Sequence, residues 1–195
     1  MIAVIDYGSG NIQSVSNALN DIGAEYVITC REKEMCDADK IIFPGVGEAS
    51  YAVKRLHMLN LFTMLRVVKK PLLGICLGMH LLCEKSAEGN ASCLGVFPVN
   101  TEMFNDSKIK VPHMGWNKVQ ITKESKLFED IPDGSFFYFA HSFYVPDNDY
   151  SSAIAQYDIN FAAAVEKENY YGVQFHPEKS GEAGIRLLKN FVEKC

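Results

Sequence analysis

The sequence predicts an α/β fold with a mostly parallel central sheet flanked by helices and a mixed or antiparallel β extension. Three observations support it. Across residues 1–82, apolar runs of strand length alternate with helical patterns, the arrangement that builds a parallel sheet covered on both faces. Beyond Glu84, short β-rich runs separated by polar and Pro/Gly turns take over. The composition, 48% hydrophobic and 22% charged over 195 positions, fits one domain spanning residues 1–195 that buries around 70% of its unfolded surface.

Taken in order, residues 1–7 read as a buried strand, followed by a Gly8-Ser9-Gly10-Asn11 turn. A helix then sets Ile12, Val15, Leu19 and Ile22 on one face before Gly23 closes it. Residues 24–30 form a second strand, 31–39 a connector or short helix, and 40–43 a third strand. The turn at Gly8 has part of a dinucleotide fingerprint, but Gln13 stands where its third glycine belongs. A bare tight turn accounts for it, and its N–H groups could still meet an anion or a partner's surface.

Pro44-Gly45-Val46-Gly47 follows the third strand at its carboxyl end, where α/β sheets place ligands. Two glycines around one valine allow a peptide plane to turn over and aim an N–H at a developing oxyanion. On the motif alone, an ordinary strand-to-helix loop explains it equally well. Residues 50–68 supply helical material broken near Asn60, and Pro71 opens a fourth strand. That strand runs into Gly74-Ile75-Cys76-Leu77-Gly78 and an apolar segment of helical character, the pattern of a sharp strand-to-helix turn with a thiol at its tip. The flanking glycines let the backbone bend there, and the N–H dipoles at the helix start stabilise a thiolate. A lone cysteine in an apolar run is also a common small core residue, so a base elsewhere must decide between the two.

The later β-rich runs are residues 95–99, 116–121, 135–139, 153–157, 162–166 and 170–174; a final helix over 180–194 puts Ile185, Leu188, Phe191 and Val192 on one face. Lys189 and Lys194 sit toward the negative end of that helix. Of five histidines, His176 is the best base, because it ends the apolar strand Tyr171-Gly172-Val173-Gln174-Phe175. Glu178 lies two residues on, on the same side of an extended segment, where its carboxylate accepts from the imidazole. Without Cys76, His176-Pro177-Glu178 would read as a surface turn. The order Cys76, His176, Glu178 argues against α/β-hydrolases, whose acid precedes the histidine.

A net charge of −5 argues against a nucleic-acid partner, and no stretch of about 18 apolar residues is present to span a membrane. The amino-terminal run lacks the basic flank of a signal peptide, which points to a soluble, cytoplasmic protein. Six cysteines without zinc spacing predict neither a disulfide framework nor a structural metal.

With both the Cys76 turn and His176-Pro177-Glu178 in view, the chain resembles the class I, triad-type glutamine amidotransferases. The likeness extends to Tyr7-Gly8-Ser9-Gly10-Asn11, Pro44-Gly45-Val46-Gly47, Val111-Pro112-His113-Met114-Gly115-Trp116-Asn117, Tyr138-Phe139-Ala140-His141-Ser142 and residues 172–181. Together these resemble the glutaminase subunits of imidazole glycerol phosphate synthases, enzymes of histidine biosynthesis. The resemblance implies a flavodoxin-like fold, no cofactor, and a catalytic triad of Cys76, His176 and Glu178. It implies oxyanion donors at the Leu77 N–H and at Val46 or Gly47 after that loop rearranges, and glutamine-binding roles for Gly45, Gly47, His80, His141, Ser142 and Phe143.

It further implies a heterodimer with a (β/α)8-barrel cyclase subunit, which takes up the ammonia and releases imidazole glycerol phosphate and an aminoimidazole carboxamide ribonucleotide. Asn11, Trp116, Tyr138 and Lys179 would face that partner. Trp116 and Tyr138 are by residue type ordinary core aromatics, so an exposed Trp116 favours the interface role. In one departure, His80 stands where the family usually carries glutamine. A histidine there keeps a hydrogen-bonding edge and adds a proton that can titrate near neutrality, which bears on glutamine affinity or its pH dependence; a tolerated residue of the pocket wall is a better reading of it than a second catalytic base. His113 and His141 also belong to matched motifs, with structural or interface roles. The rival readings are a paralogous subunit supplying ammonia to another synthase, such as a sugar-amidating enzyme, a binding module without catalysis, and a stand-alone cysteine hydrolase.

Overall fold

The computed structural model describes residues 1–8 and 11–195, so Ser9 and Gly10 of the first glycine turn lie outside the described residues. β1 (Ile2–Ile5) is buried throughout, and α1 (Ile12–Asp21) buries Val15, Ala18 and Leu19. The first helix ends where Gly23, at φ 68°, donates its N–H to the Asn20 carbonyl at 3.0 Å. β2 (Tyr26–Thr29) and α2 (Glu32–Asp37) follow, then β3 (Lys40–Gly45). The third strand is longer than the sequence suggests. Pro44 and Gly45 stay in it by pairing with Ile75 and Cys76 of β4 (Leu72–Cys76), which sets the glycine loop beside the cysteine.

The helical stretch between them is broken as expected. α3 (Ala49–Met58) and α4 (Phe62–Val67) are separated by Asn60 in the left-handed conformation at φ 57°. After β4 comes α5 (Leu77–Leu82), a helix of only 6 residues, because Cys83 already begins β5 (Cys83–Ser86). With β6 (Ala91–Ser92) and β7 (Phe97–Asn100) the fifth strand forms a small sheet.

β8 (Glu102–Met103) comes next, then β9 (His113–Lys118), β10 (Gln120–Ile121), β11 (Phe136–His141) and β12 (Phe143–Tyr144). The last elements are β13 (Ser151–Tyr157), β14 (Ile159–Lys167), β15 (Tyr170–Val173) and α6 (Gly181–Lys194).

The main sheet has the order β10-β13-β14-β15-β4-β3-β1-β2. Strands β2, β1, β3, β4 and β15 pair in parallel, while β14, β13 and β10 continue the same sheet antiparallel. The β extension is therefore continuous with the parallel core rather than a separate layer. β9 and β11 form a two-stranded ribbon of their own.

Two hydrophobic clusters cover the two faces of the sheet, and strand alternation assigns residues to them. Ile2, Val4, Ile42, Leu73 and Ile75 face the cluster of Phe137, Phe139, Phe161, Phe175 and Phe191. Their neighbours Ala3, Ile5, Ile41, Phe43 and Leu72 face the cluster of Met35, Leu56, Leu65 and Phe97. Because both faces are dry, the central strands read as unbroken apolar runs. No helix of the described residues is long and apolar enough to cross a membrane.

Candidate active site

Cys76 stands at the junction of β4 and α5 with a positive φ. Its backbone sits at φ 54° and ψ −110°, a region that costs a non-glycine residue about 1–3 kcal/mol and persists only where the surroundings impose it. The strain is carried by the cysteine, not by its glycines, which corrects the sequence reading. Gly74 and Gly78 serve by lacking a side chain: a Cβ on Gly78 would stand 1.8 Å from the Phe43 carbonyl oxygen, and one on Gly74 would stand 2.7 Å from the Gly78 carbonyl carbon. β3, β4 and α5 can therefore touch at the backbone, and the turn that results directs the thiol into a cavity at the carboxyl ends of the parallel strands.

β15 lies beside β4 with Val173 opposite Ile75, so the chain beyond it carries Gln174 and His176 past the sulfur. His176 Nδ1 lies 2.8 Å from Glu178 Oε1, with both side chains buried. Burial alone would strip the imidazole of its proton. Hydrogen bonds to Cys76 and to Glu178 outweigh it and raise the His176 pKa to about 10. Cysteine, imidazole and carboxylate are thus brought together from two separate parts of the chain, in the order a proton relay requires.

The cavity encloses about 260 Å³, below the ~300–1,000 Å³ typical of drug-sized ligands, so it suits a molecule of amino-acid size. Val46, Gly47, Cys76, Leu77, His80, His141, Ser142 and Phe143 line it, together with Glu88. Gly45 does not. It is buried in β3, where an added Cβ would meet Gly78 N and Leu77 Cβ at 2.9 Å.

The family model for class-I glutamine amidotransferases matches residues 3–195. The chain belongs to that family. It is 47% identical over 194 residues to an imidazole glycerol phosphate synthase subunit HisH of Bacteroides fragilis, covering 98% of each chain. It is 46% identical over 193 residues to the subunit of the same name from Haemophilus influenzae, covering 99% of this chain and 97% of the other. Among solved structures, one titled as a glutamine amidotransferase superposes with a TM-score of 0.77 at 16% identity, covering 99% of this chain and 98% of that one.

Within this amidotransferase, His80 is a residue of the cavity wall, as the sequence reading preferred. It is 3% exposed, and burial depresses its pKa to about 4 despite a 2.7 Å contact from Nε2 to Gln174 Oε1, so the ring is neutral at pH 7 and does not titrate near neutrality. The other two matched histidines form a chain whose protons are fixed by its ends. His141 Nδ1 donates to the Phe143 carbonyl at 2.7 Å, leaving Nε2 to accept from His113 Nδ1 at 2.9 Å. His113 Nε2 then accepts from Asn117 Nδ2 at 3.3 Å. Burial lowers His113 to about 4 and His141 well below its ordinary value, so this wall of the amidotransferase cavity is uncharged.

Three of the four residues expected at a partner surface share one face. Trp116 is 56% exposed and lies edge-on to Tyr138 at 6.2 Å, and Lys179 Nζ sits 5.9 Å over the Tyr138 ring. Asn11 points inward instead: its Nδ2 donates to Glu178 Oε1 at 2.9 Å, the same oxygen that His176 contacts.

Sequence reasoning missed this contact, and also Gln174 and Glu88. A lone amide in the apolar run of residues 171–175 was a usable signal for Gln174, which the structure buries wholly just past β15. Glu88 gave none, because it arrives on a short turn over residues 88–90 that no periodicity marks. Its carboxylate accepts from the Ala49 N–H at 3.1 Å, and burial raises its pKa.

Proposed function

We propose that residues 1–195 act as one amidotransferase domain, the glutaminase subunit of an imidazole glycerol phosphate synthase, which releases ammonia from glutamine for a partner subunit. The observation that carries this reading is the near full-length identity of 47% to a subunit of that synthase. The proximity of Cys76, His176 and Glu178 supplies the chemistry.

In this mechanism the Cys76 thiolate attacks the side-chain amide carbon of glutamine. The negative charge on the oxygen is met by the Leu77 N–H and by a second N–H from Val46 or Gly47 once that loop turns. His176 passes a proton to the departing ammonia, water then adds to the thioester carbon with His176 as base, and glutamate leaves. Glu178 holds the imidazole and balances its charge. Glutamine reaches the sulfur with its backbone end at the cavity rim, where the Glu88 carboxylate offers a counter-charge for the ammonium group. Gly47, Ser142 and Phe143 supply backbone and side-chain contacts, with Gly45 acting from behind by keeping the loop's strand close to the elbow. The partner is a (β/α)8-barrel cyclase in a heterodimer, docked on Trp116, Tyr138 and Lys179, with Asn11 at the join between that surface and the triad.

The test separates ammonia production from its use. Cys76→Ala abolishes glutamine-dependent synthesis by the complex and leaves synthesis from added ammonium salts intact. Failure of ammonia to rescue would show that the thiol is needed for something other than releasing it. A paralogous role is indicated instead if an unrelated synthase, and not the cyclase, stimulates glutamine hydrolysis.

A further inference from the structure

Cys76 Sγ has polar neighbours besides His176. The Ala140 carbonyl oxygen of β11 lies 4.0 Å away, and Gln174 Nε2 lies 3.8 Å away, within the range for an N–H donor to sulfur. Gln174 is fully buried, its backbone N–H is fixed on the Ala163 carbonyl at 2.9 Å, and its Oε1 lies 2.7 Å from His80 Nε2. An amide placed between a ring nitrogen and a sulfur has two orientations. With its oxygen toward the sulfur it can only accept from a thiol; with its NH₂ toward the sulfur it donates to a thiolate. A ring Nε2 that carries the proton selects the second, because that N–H requires the amide oxygen.

We propose that Gln174 is a donor to the Cys76 thiolate and that His80 is a positioning residue that fixes the Gln174 amide in the donating orientation. The inference rests on the reading of Cys76 as nucleophile and adds two neutral residues to the groups arranged around its sulfur. A charged donor in place of His80 would add a second cation beside His176; a neutral ring polarises the amide and adds none. The titratable groups around the sulfur are His176 with Glu178 behind it, His80 from α5, His141 from β11 and Glu88 at the cavity rim. Only the first pair carries charge into the interior, since burial keeps His80 and His141 neutral.

The test reads the thiolate directly, without glutamine turnover. The full chain is alkylated with iodoacetamide and modification at Cys76 is followed by peptide mass spectrometry, which separates it from the exposed Cys30 and Cys36. The quantity of interest is the rate at pH 6 relative to that at pH 10. Gln174→Met, which keeps the volume and removes the donor, lowers this ratio about tenfold, the scale of one hydrogen bond to a charged group. His80→Leu lowers it in the same direction, and His80→Gln, which keeps an N–H for the amide oxygen, restores it. An unchanged ratio in Gln174→Met overturns the proposal, as does a His80→Gln variant as impaired as His80→Leu. Either result leaves the nucleophile assignment standing, since that falls only if Cys76→Ala still hydrolyses glutamine.

Discussion

At the scale of single residues, His176 is a base made strong by its company. It is 3% exposed, and desolvation opposes its charged form, yet contacts with sulfur and carboxylate hold the proton to a pKa of about 10. The unfolded chain gives up that proton near 6.5. The folded state therefore binds it more tightly, and the stabilisation is complete below about pH 6.5 and is lost as pH rises toward 10. A thermal unfolding series should show the melting temperature falling over that interval more steeply in the wild type than in His176→Gln. Equal slopes would mean that the imidazole does not hold its proton in the folded chain. The sequence pairs His176 with Glu178 along an extended segment, and here the structure differs: Pro177–Lys179 form one turn of 3₁₀ helix, and it is that turn which brings the carboxylate to the ring. The Asn11 contact with the same carboxylate was not legible in the sequence, since it joins positions 167 apart and follows only from how α1 meets the turn after β15.

At the scale of elements, the strand-to-helix turn is built on missing side chains. Backbone atoms of Phe43 occupy the space where a Gly78 Cβ would sit, so relief requires β3 or α5 to move rather than a flexible tip to swing aside. Gly78→Ala should cost about 1–3 kcal/mol or more, as overpacking does. For a domain of this size that lowers the melting temperature by about 2–4 °C per kcal/mol, and glutamine hydrolysis should fall further than stability because the turn that aims Cys76 is displaced. A Gly78→Ala chain with wild-type melting temperature and turnover would show that the close approach is not required. The motif announced this turn, but which residue bears the strain depended on the three-way contact among β3, β4 and α5. Likewise, the third strand gains Pro44 and Gly45 through pairing with a strand whose sequence begins 27 positions later.

At the scale of the whole molecule, the β9–β11 ribbon holds Trp116 opposite Tyr138, with Lys179 above, and the Tyr138 backbone is bonded to His176 and Ser180 on either side of the Pro177–Lys179 turn. Exposed tryptophans that anchor an interface commonly contribute 2 kcal/mol or more. On the proposed reading, Trp116→Ala should weaken binding of the cyclase subunit about thirtyfold, measured by titration calorimetry, with the melting temperature of the isolated chain unchanged. Undiminished affinity would place the docking surface elsewhere.

The sequence by itself determined the alternation of strands and helices, the apolar faces, the break at Asn60, the Cys76 turn and the His176 and Glu178 pair. Each of these is set by spacing within a few residues, where periodicity and backbone chirality leave little choice. Tertiary structure alone decided that the β extension joins the parallel sheet edge to edge, that His80 is neutral and bound to Gln174, that Asn11 turns inward and that Glu88 reaches the cavity. Those outcomes depend on burial and on contacts between distant segments, and neither desolvation nor a long-range hydrogen bond leaves a periodic mark on the chain.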